Sequence, residues 1–126
     1  MIVKHKFFDH KINPNTRTLV IGTFNPATEE NDANFFYSRQ RNFLWTLIPN
    51  AFGKASLKGA SKDEKIKFMN EFNIDFVDLI LEVNVEKADN YDDGYIDKKV
   101  EKWNENINSE IDKLKHLEKV CFTRKT

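Results

Sequence analysis

The sequence is short of the features that mark several whole classes of protein. It holds one cysteine, Cys121, so no intramolecular disulfide can form and a disulfide-stapled scaffold is excluded. It shows no apolar leader at its start and no apolar run long enough to cross a bilayer, so a cytoplasmic chain with no membrane partner is expected. It has no net charge, since 20 basic residues balance 20 acidic ones. That removes the basic footprint of a protein that coats nucleic acid, but not an enzyme that grips a few phosphates. The histidines His5, His10 and His116 are scattered, and none makes a close ligand pair with another histidine or with Cys121. No metal and no cofactor are expected. There is also no internal repeat, linker or low-complexity tract.

What remains is an ordinary globular composition with an emphasis on phenylalanine. Apolar residues make up 40% of 126 residues, enough for one domain over 1–126 that buries a core without disulfide or metal. Eleven phenylalanines predict a Phe-rich core, with some ring faces left for a flat ligand. Cys121, inside Val120-Cys121-Phe122, reads as a core residue rather than a nucleophile.

The pattern along the chain alternates strands and helices. Ile2, Phe7 and Phe8 suggest a short strand or a segment packed under a sheet, and Asn13-Pro14-Asn15 is turn chemistry. Thr18–Gly22 is apolar on both faces, as a central parallel strand should be. A long polar loop over 23–41 carries the aromatic knot Phe35-Phe36-Tyr37. A short helix is expected over Asn42–Ile48, with Phe43, Leu44, Leu47 and Ile48 on its apolar side and Pro49 as its end. Ser61 and Glu64 have capping-box spacing and open a second helix, with Ile66, Met69 and Phe72 as its inner stripe and Asn73 as its C-cap. Ile74 to Leu81 reads as a second buried strand, and 82–95 as a polar loop. Val100, Trp103, Ile107, Ile111, Leu114 and Leu117 recur at steps of three and four, which predicts one long helix over 96–117. Lys119 to Thr123 reads as a third strand. The fold class expected is α/β, a three-layer sandwich with a central, mostly parallel sheet flanked by helices. A sheet ending at the third strand leaves it little cover, which points to a truncated product or to pairing with another chain.

Ligands of open parallel sheets bind beyond the carboxyl ends of the strands. Three segments converge there: 22–37, 78–90 and Thr123 onward. In Gly22-Thr23-Phe24-Asn25-Pro26, glycine permits close approach, proline stiffens the turn, and Asn25 offers a neutral carboxamide that orients a water without burying a charge. The same residues also suit an Asx turn with no chemistry. The acidic stretch Asp89 to Asp93 lacks calcium-loop spacing and reads as a solvated turn.

Two families share this string. Nucleotidyltransferases of cofactor synthesis also carry Gly-Thr-Phe-Asn/Asp-Pro after a first strand, but follow it with His-x-Gly-His. Here Ala27-Thr28-Glu29-Glu30 follows, which would meet a triphosphate with like charge. The longer likeness runs through Leu19–Pro26, Asn34-Phe35-Phe36-Tyr37-Ser38-Arg39, Arg41-Asn42-Phe43-Leu44-Trp45, and Asn73-Ile74 to Asp78-Leu79-Ile80. Over about residues 17–123 the chain resembles the uracil-DNA glycosylase superfamily, in the branch related to mismatch-specific and hypoxanthine-DNA glycosylases. Two departures stand out. The catalytic Asn of the mismatch-specific branch lies two residues after its Gly, whereas Asn25 lies three after Gly22, which makes Asn42 a second candidate. The chain is also expected to lack the family's C-terminal strand and second motif.

The resemblance implies a partner, DNA containing a damaged base, and a reaction, hydrolysis of the N-glycosidic bond of a flipped-out uracil or hypoxanthine. It implies that Asn25 or Asn42 positions the water. Gly22, Thr23 and Phe24 would present backbone donors to the base, Phe36 or Tyr37 would stack on it, and Arg39 and Arg41 would contact phosphate. Asp78 would bind the base or anchor a loop, while Phe43, Leu44 and Trp45 would be core. The rival reading is a non-catalytic α/β domain with a structural or protein-binding role.

Overall fold

The computed structural model describes residues 1–86 and 91–123, a mixed α/β chain that divides into two compact units. One unit comprises Met1–Thr28 with Asn73–Thr126, the other Glu29–Phe72.

The first unit contains two three-stranded sheets. Strands β1 (Ile2–Lys4), β4 (Ile80–Asn84) and β5 (Val100–Trp103) form an antiparallel sheet in the order β1-β4-β5. Strands β2 (Thr18–Gly22), β3 (Ile74–Asp78) and β6 (Lys119–Phe122) form a parallel sheet with β2 in the centre. The parallel trio is the one the apolar runs predict, with Val20 opposite Phe76 and Cys121. Alternation along these strands puts Leu19, Ile21 and Val77 in one cluster with Leu114, while Ile12, Ile107, Ile111 and Leu117 pack around it. The antiparallel sheet has its own cluster of Val3, Ile80, Val83, Val85 and Ile96.

Three expectations for this unit are corrected. The segment after Ile74 is two strands, not one. At Leu79 the chain leaves the parallel sheet, and the Leu79 and Ile80 amides donate to the carbonyls of Gly22 and Thr23 at 3.0 Å each. The long helix over 96–117 is a short helix α3 (Asp93–Ile96), strand β5 and another short helix, here α4 (Ile107–Asp112). Val100 and Trp103 satisfy a step of three, but both pair with β4, opposite Val83 and Ile80. The sheet edge overrides the helical periodicity. Finally, Cys121 is only half-buried, because β6 is an edge strand that leaves Val120 and Phe122 exposed. The acidic turn begins at Asp89, and residues 87–90 lie outside the described residues.

The second unit holds helices α1 (Leu44–Ala51) and α2 (Lys62–Phe72). Pro49 does not end α1 but lies inside it. A proline there leaves the carbonyl four residues back without its helical donor. That carbonyl belongs to Trp45, and the Leu57 amide takes it at 2.9 Å. The return of 52–57 across the helix therefore makes the internal proline tolerable. Gly53, at φ +71°, provides the left-handed residue past the helix end and donates to Asn50. The buried face of α1 is Trp45 and Pro49, not the expected Phe43–Leu47 side, since Phe43 and Leu47 are exposed. Helix α2 starts as its capping signal predicts, with Ser61 Oγ accepting from the Glu64 amide at 3.2 Å. Asn73 follows it in the left-handed region at φ 55°. Its inner stripe is Lys65, Phe68 and Met69, with Ile66 only half-buried.

The core of this unit is aromatic. Phe35 meets Phe36 and Trp45, Trp45 meets Phe68, Phe68 meets Phe52 and Phe72, and Phe52 meets Phe72, with centroids between 4.6 and 6.4 Å. Edge-on and tilted pairs of this kind add about 0.5–1.5 kcal/mol each beyond their buried area. The Trp45 indole N–H donates to the Phe36 carbonyl at 2.6 Å, so the largest buried side chain also has its polar atom satisfied.

Candidate functional site

In the β-rich unit, the loop after β2 carries the residues singled out by the sequence. Phe24 meets His5 edge-on at 5.8 Å and lies 5.9 Å from Tyr91, so the segments after β2 and before α3 do come together. Asn25 is buried, and its carbonyl accepts from the Lys6 amide at 2.7 Å. Ala27 then donates to Lys4, so residues 4–6 and 25–27 run as an antiparallel ribbon.

His5 is one of the residues that sequence reasoning passed over. It is 2% exposed and its Nε2 lies 2.6 Å from Asp78 Oδ2. The Phe7 amide donates to His5 Nδ1 at 2.9 Å. Nδ1 is therefore the acceptor and Nε2 carries the proton that goes to the carboxylate. Asp78 thus has the anchoring role, holding the N-terminal ribbon to the end of β3. A parallel arrangement sits lower on the same strand. Asp75 accepts from His10 Nε2 at 2.7 Å and from the Asn13 amide at 2.8 Å. The available signal was two carboxylates inside the apolar strand Ile74-Asp75-Phe76-Val77-Asp78, each of which needs a partner once buried.

In the helical unit, the motif residues surround a cavity of about 440 Å³. Asn34, Tyr37, Arg39, Asn42, Lys58 and Lys65 line it, with Ser38 and Trp45 behind. Tyr37 is half-buried and holds φ 56°, a left-handed backbone that costs an aromatic residue roughly 1–3 kcal/mol. Phe36 is buried in the aromatic core, so of the two proposed stacking rings Tyr37 is the one on the cavity. Asn42 Oδ1 accepts from the Leu44 amide at 2.9 Å, an Asx turn at the helix start, and Asn42 lines the cavity. Arg39 and Arg41 are exposed, and among the described residues neither pairs with a carboxylate. Arg39 borders the cavity and Arg41 does not.

The most unusual group here is Lys65, which is 2% exposed. Its Nζ donates to Asn34 Oδ1 at 2.7 Å and to Ser38 Oγ at 2.8 Å. Burial pushes this ammonium down from the ordinary 10.5, and the nearby Lys58 ammonium pushes it the same way. The Trp45 ring, 5.7 Å from Nζ, favours the cation. When desolvated, such a contact contributes about 2 kcal/mol, against several kcal/mol for desolvating an ammonium, so burial outweighs it. Lys58 itself spans the loop by donating to the carbonyls of Gln40 at 2.6 Å and Asn42 at 2.8 Å. The cavity thus sets Arg39, Lys58 and Lys65 against the single carboxylate of Asp32, a positive excess in a chain of zero net charge.

Among the described residues, no three His, Cys, Asp or Glu side chains gather as a metal site, and no helix is long and apolar enough to cross a membrane. No protein-family model, curated protein or solved structure matches this chain.

Proposed function

We propose that the chain is a DNA glycosylase-type domain that excises a deaminated base, uracil or hypoxanthine, and that its layers stack as a three-layer α/β sandwich. The observation that carries this reading is the cavity of residues 29–72. Its wall is drawn from the same Asn34–Trp45 segment that resembles the glycosylase motif, and its volume is that of a small-ligand pocket.

The chemistry needs four things. A base flipped from the stack needs a ring to lie on, and Tyr37 provides one, a contact of about 1–3 kcal/mol. The departing base carries negative charge, so donors aimed at its oxygens lower the barrier. At this cavity Asn42 fills that role. The attacking water needs a neutral carboxamide, which is Asn25 or Asn42. The phosphates on either side of the lesion need cations that are not already paired, and Arg39 and Arg41 are in that state.

Single-turnover cleavage of uracil- and hypoxanthine-containing oligonucleotides tests this directly. Wild type should release the base. One of Asn25→Ala and Asn42→Ala should lose the chemical step while keeping DNA affinity. Asn25 is buried, so its variant also requires a melting curve. Absence of base release from either substrate by folded wild type would end the proposal.

A second reading, a non-catalytic domain that pairs with another chain, is supported by edge strand β6. Among the described residues no strand lies on its outer side, and Val120 and Phe122 are exposed. Concentration-dependent association that Phe122→Lys abolishes would favour it.

A further inference from the structure

Lys65 has no part in the excision step just described, yet its surroundings are specific. Both atoms that Nζ touches are fixed as acceptors by their other bonds. Asn34 cannot present its amide nitrogen, because Nδ2 donates to the Ala60 carbonyl at 2.9 Å. Ser38 Oγ spends its own proton on the Phe36 carbonyl at 3.2 Å. Nζ therefore donates two N–H bonds, both to neutral oxygens, and among the described residues no carboxylate lies within ion-pair distance.

A neutral amine has two N–H bonds and one lone pair. The site satisfies the two donors and leaves the lone pair over. An ammonium would have a third N–H with no acceptor and a buried charge with no counter-ion. Desolvation and the Lys58 ammonium act in the same direction, the two means by which proteins make lysine nucleophilic. The side chain forms part of the wall of the cavity that also holds Tyr37, Arg39 and Lys58.

We propose that Lys65 is an amine nucleophile that forms a Schiff base with an aldehyde admitted to this cavity, namely the ring-opened deoxyribose of an abasic site. The proposal rests on the glycosylase reading for the identity of the aldehyde, since base excision generates that sugar. The Nζ lone pair adds to C1′, and the aldehyde oxygen takes up a proton to give a carbinolamine. Loss of that hydroxyl with a further proton, as water, leaves C1′ doubly bonded to nitrogen. The iminium acidifies C2′. Transfer of a C2′ proton to water and departure of the 3′ phosphate break the strand, and hydrolysis of the imine returns Lys65 and an unsaturated aldehyde. Arg39 and Lys58 are the cations near the departing phosphate. Every atom comes from the abasic site, the lysine and water.

The experiment uses the whole chain and an oligonucleotide carrying a preformed abasic site, so it does not depend on prior base removal. Incubation with cyanoborohydride should trap a covalent protein–DNA adduct, and peptide mapping of the wild-type adduct should place the modification on Lys65. Lys65→Met should reduce trapping to background, whereas Lys67→Met, at an exposed lysine of the same helix that does not line the cavity, should retain it. Because the mapping is done on wild type, a poorly folded Lys65 variant does not decide the result. Absence of an adduct, or an adduct at a different lysine, overturns the proposal. Uracil or hypoxanthine release without trapping removes this inference and keeps the glycosylase reading. Trapping at Lys65 without release of any base keeps the nucleophile and removes that reading.

Discussion

The two units bury charge in opposite ways. In the β-rich unit, Asp75 and Asp78 lie inside a strand, and each carboxylate meets a histidine at 2.7 and 2.6 Å. In the helical unit, Lys65 is equally buried, and its Nζ meets an amide oxygen and a hydroxyl, with the Trp45 ring 5.7 Å away. The first arrangement is complete. Donors and acceptors match, and the pairs tie residues 1–16 to β3 at two levels. The second satisfies hydrogen bonds but leaves the ammonium without a counter-charge. A group buried that way favours loss of its proton or the arrival of an anion. The contrast is between carboxylates that have a charged or ring N–H partner and a lysine held by neutral oxygens.

Breaking the aromatic framework behind the cavity should have the largest effect. Trp45→Ala removes a fully buried ring that touches Phe35 and Phe68 and abandons the hydrogen bond to Phe36. A loss of about 3–5 kcal/mol in denaturant unfolding is expected. Hydrogen exchange should accelerate more over 29–72 than over β2 and β3, since the parallel sheet has its own cluster. Uniform acceleration across both units would show that the division into two units has no energetic counterpart.

The histidine–carboxylate anchors come next. His5→Ala strips Asp78 of the ring donor at 2.6 Å and leaves a buried carboxylate. The expected cost is about 1.5–3 kcal/mol, the range for a hydrogen bond to a charged group. Asp78→Asn should cost less, because a neutral amide oxygen still accepts from Nε2 and no charge is stranded. If the two variants melt alike, the pair is not what fixes the ribbon.

The parallel core was legible because Thr18–Gly22 is short and apolar on both faces and the strand that starts at Ile74 follows a capped helix. The start of α2 was equally legible, since Ser61 and Glu64 act locally. What was missed depended on distant partners. Val100 and Trp103 fit a helix by spacing, and only the edge offered by β4 makes them a strand. The internal Pro49 is tolerated because Leu57 donates to the carbonyl it leaves open. The site divides along the same line. Tyr37, Arg39 and Asn42 were marked by their motif, whereas Lys65 stood in the helix as one charge among many. Its burial follows from its place one turn before Phe68 and Met69 on the inner stripe, which turns a residue usually solvated into part of the core face.

The smallest effect expected is a slope rather than a loss. The Lys65 pKa is lowered on folding, first by burial and then by Lys58, so between that lowered value and the unfolded value of 10.5 the unfolded chain binds more protons than the folded one. Stability from this group must then rise with pH across that window, and level off above 10.5. Below the lowered value the folded protein carries the full penalty of a buried ammonium without a counter-charge. Other lysines and the tyrosines titrate in the same alkaline range, so the quantity to read is the difference between wild type and Lys65→Met. That difference should move in favour of wild type as pH increases, measured by denaturant unfolding at a series of alkaline pH values. Lys58→Met should shift the onset of the rise upward, because it removes the second cause and leaves burial. A difference that is flat with pH would mean that Lys65 keeps its proton in the folded chain. The contrast with the paired carboxylates of the other unit would then rest on hydrogen bonding alone.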